Sequence, residues 1–163
     1  MKGSLELTHP AQHYSRFGPL PKIVAPAHTD DRDNLLTFIV DHRDALKREL
    51  HQLGGLLFRG WGLEGGHAFE AALDAAQFKE MPYVGGAAPR RAVTTGRIMT
   101  ANESPAHEKI PLHHEMAQTP NPPDYIFFYC NQAPLTGGAT TLLDSRLAFE
   151  TLERIDPLLI ERL

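Results

Sequence analysis

Pro111-Leu112-His113-His114-Glu115-Met116 puts a histidine and a carboxylate two residues apart, and on extended backbone such residues point to the same side. His113 and Glu115 can therefore share one metal ion, while His114 points the other way. Imidazole and carboxylate are two of the three protein ligands of a 2-His-1-carboxylate facial site, which holds ferrous iron and keeps positions open for cosubstrate and oxygen. No histidine follows His114 in the chain. The sequence thus carries either half of an iron site or a site of another kind.

The surroundings of the pair favour a site. It follows a region rich in glycine and proline, 81 to 111, which reads as a long functional loop with one strand near Gly96 to Ala101. The proline-rich turn Pro120-Asn121-Pro122-Pro123 comes next. A hard carboxylate with an imidazole suits ferrous iron or manganese, and a lone cysteine argues against structural zinc. That cysteine, Cys130, sits in the apolar run Ile126-Phe127-Phe128-Tyr129-Cys130 and reads as a small buried hydrophobe. His114 reads as solvent-facing or as a support behind the ligands. His107, beside Glu108 and Lys109, reads as part of an exposed turn.

Composition bounds the protein class. The chain has 163 residues, 42% of them hydrophobic and 22% charged, as expected for one soluble globular domain with a real core. Sixteen basic residues against 20 acidic give a net charge of -4, and the basic residues are scattered. There is no electrostatic case for nucleic acid or an anionic membrane as partner. Met1-Lys2-Gly3-Ser4-Leu5-Glu6 lacks the apolar core of a signal peptide, and no segment approaches the ~20 apolar residues needed to span a bilayer. A cytoplasmic protein is the expectation.

Along the chain, residues 1 to 30 carry four prolines and little periodicity, and read as an extended arm with few core contacts. From Asp31 to Leu53 apolar residues recur at helical spacing and end at Gly54-Gly55, which predicts one long helix, or two broken near Asp41. Gly55 to Gly60 reads as a short buried strand, and Gly66 to Phe78 as an alanine-rich helix. Asp124 to Gln132 and Ala139 to Leu143 read as strands that pair as a hairpin around Gly137-Gly138. Asp144 is the expected N-cap of a helix that Pro157 interrupts before a last segment, Leu158 to Leu163. Gly137-Gly138-Ala139-Thr140 admits two readings, a glycine hairpin turn or a binding turn whose threonine hydroxyl donates to a carboxylate.

Taken in order, Leu57-Phe58-Arg59-Gly60, Pro89-Arg90, Ile110-Pro111-Leu112-His113-His114-Glu115-Met116, Ile126-Phe127-Phe128-Tyr129-Cys130, Gly137-Gly138-Ala139-Thr140-Thr141 and Asp144-Ser145-Arg146 resemble the taurine dioxygenase-like, or clavaminate synthase-like, family of Fe(II)/2-oxoglutarate-dependent oxygenases. The resemblance runs from about Pro19 to the last residue. It implies an α+β to mainly β fold, a double-stranded β-helix (jelly-roll-like barrel) with flanking helices, incomplete in this chain. It also implies that His113 and Glu115 bind Fe(II), that Thr140 binds the cosubstrate 2-oxoglutarate, and that a small organic substrate, free or carried on another protein, is hydroxylated or desaturated. Arg90 is either a contact for an anionic substrate group or an exposed surface arginine.

The family's second histidine and the arginine that pairs with the distal 2-oxoglutarate carboxylate have no counterpart here. The expectation is accordingly that residues 1–163 are the N-terminal part of one catalytic domain: an arm (1–30), a helix-strand-helix unit (31–80), and a loop with the ligand segment and first barrel strands (81–163). By family the protein is a dioxygenase, with the isolated chain expected to be inactive. The alternatives are an inactive truncated remnant serving as a binding module, and a zinc hydrolase that recruits His107 as third ligand.

Overall fold

Leu35, Ile39 and Leu46 recur at helical spacing and place one apolar stripe along α1, Leu35–Leu53, in the computed structural model, which describes residues 13–86, 88–94, 97–101, 103–105 and 107–162. Residues 1–12 of the expected arm, Gly96 of the expected loop strand, and Leu163 lie outside the described residues. Helix α1 runs unbroken through Asp41. Its first expected turn is instead a 3-10 helix, Thr29–Asn34. It stops at Gly54, whose φ of 86° puts its N–H on the Leu50 carbonyl at 2.8 Å.

Helix α2, Gly65–Ala76, packs on α1 through its alanines, and Leu35, Ile39 and Ala72 form the buried centre with Leu46, Trp61, Leu63, Ala75 and Ala76 around it. The helix ends two residues short of the expected Phe78, since Gln77 adopts a left-handed φ of 56°. Arg43 Nε donates to the Ala75 carbonyl at 2.9 Å and joins the two helices at that end.

The arm is not a bystander. β1, His13–Ser15, and β2, Gly18–Leu20, form an antiparallel hairpin, and β3, Lys22–Val24, pairs in parallel with β4, Leu56–Phe58. The register Lys22↔Leu56, Ile23↔Leu57, Val24↔Phe58 makes β3, α1 and β4 a βαβ unit. Val24 is buried, and its carbonyl accepts the Trp61 indole N–H at 2.9 Å. Few core contacts were expected of residues 1 to 30. Parallel pairing needs a second strand, and the arm is the partner that satisfies β4.

The expected hairpin of 124–132 with 139–143 does not form. Gly137 and Gly138 have φ of 71° and 70°, as a tight hairpin turn requires, and a Cβ at Gly138 would lie 2.6 Å from Pro134 Cγ. Yet neither flank enters a ladder among the described residues. Two strands alone are marginal in water, and 124–130 is held instead by side chains on alternate positions. Tyr125 and Phe127 meet Phe78, and Tyr129 stacks on Phe69 with ring centroids 5.4 Å apart. Tyr129 OH donates to Leu63 O at 2.9 Å and accepts from Gly65 N–H at 3.0 Å. The other face, Ile126, Phe128 and Cys130, is exposed, Phe128 by 60%. Cys130 is thus not the buried hydrophobe expected, because nothing among the described residues covers its side of the segment. The described residues form a mixed helix and strand structure, and the ladders of a jelly-roll barrel are not among them.

Helix α3, Ser145–Ile155, begins as expected at Asp144, which accepts the Arg146 N–H at 3.0 Å. Arg146 then folds back onto Asp144 with Nε–Oδ1 2.9 Å and Nη2–Oδ2 2.7 Å, donates to Gln52 O, and covers the Phe17 ring at 4.1 Å. Helix α4, Pro157–Arg162, follows with Asp156 Oδ1 accepting the Leu159 N–H at 3.0 Å. No helix among the described residues is long and apolar enough to cross a membrane.

Two outcomes follow for stability. Ile39→Ala removes a residue at the centre of the α1–α2 contact and lowers unfolding stability by about 2 kcal/mol in urea titrations, at the low end for such truncations because no side chain there is fully buried. The Arg146 side-chain hydrogen bond holds the Asp144 carboxyl below its ordinary value of 3.8, so its contribution is full above that value and lost as pH falls through the lower folded one. Asp144→Asn keeps a cap but not the charge. The stability advantage of the parent over this variant, measured by urea midpoints, is expected at pH 6 and shrinks on acidification below about pH 4.

Candidate metal centre

Residues 107–119 carry the candidate ligands on a loop fixed at both ends. Ahead of it, Arg91 N–H donates to Thr100 Oγ1, Val93 N–H donates to Ile98 O at 2.7 Å, and Ala92 and Met99 form a single antiparallel bridge where a strand was expected. Arg97 ties this excursion to α2 through Asp74 at 2.5 Å and reaches Glu80 at 3.3 Å. Those carboxylates raise the Arg97 pKa, Asp74 foremost through its hydrogen bond. Arg91 and Thr100 hydrogen-bond Glu103, the threonine hydroxyl being the larger cause of its lowered pKa.

After the ligands the chain turns sharply. Met116 takes φ 55°, a strained choice for a side chain of its size, and its burial keeps it there. Thr119 closes the turn, its N–H and hydroxyl both donating to Met116 O at 2.9 and 2.8 Å. The expected extended strand therefore ends at the ligands, and Glu115 opens the turn.

His113 Nε2 and Glu115 Oε2 face one another at 3.7 Å. Two donor atoms that share one octahedral ion as cis neighbours stand about 3 Å apart, so the separation of the pair is within about 1 Å of what a shared ion requires. His113 Nδ1 lies 2.8 Å from Pro111 O. A carbonyl only accepts, so Nδ1 carries a proton, and in the neutral ring Nε2 is then the nitrogen that presents a lone pair. The imidazole is half exposed, at 54%, and Glu115 is more enclosed, at 20%.

His114 diverges as the alternation predicts, its Nε2 meeting Ser145 Oγ at 3.0 Å at the start of α3. His107 is exposed in a turn closed by Glu108 N–H on Pro105 O, as expected. Among the described residues no three histidine, cysteine or acidic side chains gather into a metal-binding group, so His107 does not join the pair. Thr140 is exposed on its glycine turn, and the structure does not bring it into hydrogen-bonding contact with His113 or Glu115. Concavities of about 340 Å³ between β3 and α1 and about 300 Å³ beside Gly54 and Asp144 include neither ligand residue.

Arg90 is not the exposed surface arginine that one reading allowed. Its side chain is 16% exposed, Nη2 donates to Glu115 Oε1 at 2.7 Å, and the guanidinium covers the Tyr83 ring at 4.3 Å. Nothing in the sequence joined Tyr83 to the ligands. The only trace was its neighbour Gly85-Gly86, where Gly86 admits the ring: a Cβ there would lie 1.9 Å from Tyr83 Cζ.

The sequence pattern of the taurine catabolism dioxygenase TauD, TfdA family matches residues 16–163. The chain belongs to that family. The TauD/TfdA chain is 37% identical over 165 aligned positions to a clavaminate synthase-like protein of Arabidopsis thaliana, covering 98% of this chain and 50% of that relative. It is 32% identical over 96 positions to the dapdiamide synthesis protein DdaC of Enterobacter agglomerans, covering 59% of this chain and 29% of DdaC. The chain thus spans half or less of the length of these curated relatives. The sequence resemblance drawn from six short motifs is correct.

The Pro111 contact carries a spectroscopic consequence. Neutral His113 is expected as the Nδ1–H tautomer, the minor form in water, and long-range ¹H–¹⁵N correlation spectra at pH 8 will give its Nε2 the shift of an unprotonated nitrogen. A dominant Nε2–H signal would show that the carbonyl does not set the ring.

Proposed function

We propose that this protein is the ligand-bearing part of an Fe(II)/2-oxoglutarate-dependent dioxygenase that hydroxylates or desaturates a small organic substrate, acting within a longer chain. The observation that carries the reading is the 3.7 Å approach of His113 Nε2 to Glu115 Oε2, with the imidazole lone pair freed by Pro111. One imidazole and one carboxylate fit ferrous iron, whose own chemistry with 2-oxoglutarate supplies the oxidising power when bound. Membership of the TauD/TfdA family supports the same assignment.

In this reading His113 and Glu115 hold the metal, and Pro111 fixes the tautomer that lets His113 do so. Thr140, whose hydroxyl is exposed beside two left-handed glycines, donates a hydrogen bond to 2-oxoglutarate once the barrel is complete. In the complete chain residues 124–132 and 139–143 join the family's double-stranded β-helix as strands. The exposed Ile126 and Phe128, on one face of the first of these segments, support this, since a packed barrel layer would cover them. The partners are a small molecule, free or carrier-bound, with no nucleic acid or membrane, and the setting is the cytoplasm.

The test uses protein expressed from its complete reading frame and follows succinate formed from 2-oxoglutarate. His113→Ala and Glu115→Ala are each expected to lower iron-dependent turnover by on the order of 100-fold, and Thr140→Val to raise the KM for 2-oxoglutarate by about tenfold through loss of one hydrogen bond. Undiminished turnover in Glu115→Ala, or equal activity with zinc and no 2-oxoglutarate, would sink the proposal. No iron-dependent succinate from the parent protein would leave the binding-module alternative.

A further inference from the structure

We infer that Arg90 is a positioning residue for the metal pair, holding one oxygen of Glu115 so that the carboxylate meets a metal through the other oxygen alone. The inference rests on the iron reading above and adds a role for a residue outside the ligand set. Glu115 Oε1 is taken by Arg90 Nη2 at 2.7 Å, and Oε2 is the oxygen turned toward His113 Nε2 at 3.7 Å. A free carboxylate rotates about its terminal torsion and can present either oxygen or both. With Oε1 bonded to a fixed cation, that rotation is stopped at one setting.

The fixing of Arg90 is itself built. The guanidinium lies over the Tyr83 ring at 4.3 Å, and the Tyr83 hydroxyl donates to Ala88 O at 3.0 Å and accepts Ala88 N–H at 3.3 Å. The ring is therefore held at its hydroxyl end, by the backbone just ahead of Arg90 and by Gly86, whose missing side chain leaves that end its room. Arg90 Nε is buried and finds no acceptor among the described residues. A buried donor without a partner is costly, and a pair formed only for stability would turn the planar fork to use Nε as well. Arg90 instead spends a single Nη2 on a single oxygen, an arrangement that sets direction.

The experiment uses protein from the complete reading frame and Co(II) alone as probe, read by visible absorption titration and by infrared difference spectra of ¹³C-glutamate-labelled protein. Arg90→Gln is expected to weaken Co(II) binding by about ten- to a hundredfold, as loss of a group orienting a metal ligand typically does. It should also narrow the separation between the two carboxylate stretches, the signature of both oxygens on the metal. Arg90→Lys should recover part of the affinity, and Tyr83→Leu, which removes the seat and leaves the ion pair, should fall between. Arg91→Gln, which removes an exposed guanidinium paired with Glu103 and not with Glu115, should match the parent. Melting temperatures within a few degrees of the parent separate positioning from lost folding. Parent-like affinity and band separation in Arg90→Gln, with His113→Ala losing Co(II), overturn the Arg90 role alone. Equal Co(II) affinity in the parent and His113→Ala overturns the iron reading and the Arg90 role with it.

Discussion

The contact of the α1 stripe with the alanine face of α2, centred on Leu35, Ile39 and Ala72, is the constraint on which the other elements depend. Small residues on α2 let the helices approach closely, and the turn between β4 and α2 brings Trp61 and Leu63 onto the same cluster. From there the indole bond to Val24 O fixes β3 beside β4, while Phe69, Phe78 and Leu63 O offer the surface that receives Tyr125, Phe127 and Tyr129. Arg97 uses the acidic end of α2 to hold the loop ahead of the ligands. The candidate centre is thus several steps removed from the core. Each step is a named hydrogen bond, ring contact or ion pair rather than broad apolar burial.

That thinness matters for the chemistry. His113 and Glu115 sit on a loop segment, and loops position reactive groups poorly unless other groups restrain them. Here the restraints are the Pro111 carbonyl on His113, Arg90 on Glu115, and the strained, buried Met116 that turns the chain immediately after them. Each ligand atom that faces the shared position belongs to a group whose other polar atom is already engaged. The arrangement selects one imidazole nitrogen and one carboxylate oxygen out of four candidates.

How far the sequence could be read depended on the range of the interaction involved. Helix α1, its glycine stop and the Asp144 cap are local events, set by spacing and by residues within one turn, and they were legible. The end of α2 at Gln77 was not, because a left-handed non-glycine residue leaves no compositional mark. The side chains of 124–130 alternate between two faces as on extended backbone, but pairing is a property of two segments, and no ladder accompanies it among the described residues. The approach of His113 to Glu115 was legible because the two residues are neighbours in the chain. The Arg90–Glu115 contact spans 25 residues and was not, since a buried arginine and a surface one look alike in sequence. The fold of the arm was missed for the same reason: its partner strand lies beyond the whole of α1.

The two-sided character of residues 124–130 also bears on synthesis. Among the described residues the rings, the Leu63 carbonyl and the Gly65 N–H that receive Tyr125, Phe127 and Tyr129 belong to residues 51–78, so this receiving surface leaves the ribosome before the segment that docks on it. Contacts within 13–78 are of modest sequence separation and can close early. The nascent chain meets its aromatic side chains with a surface already in place, while Ile126 and Phe128 emerge facing water, the side most in need of a chaperone until something covers them.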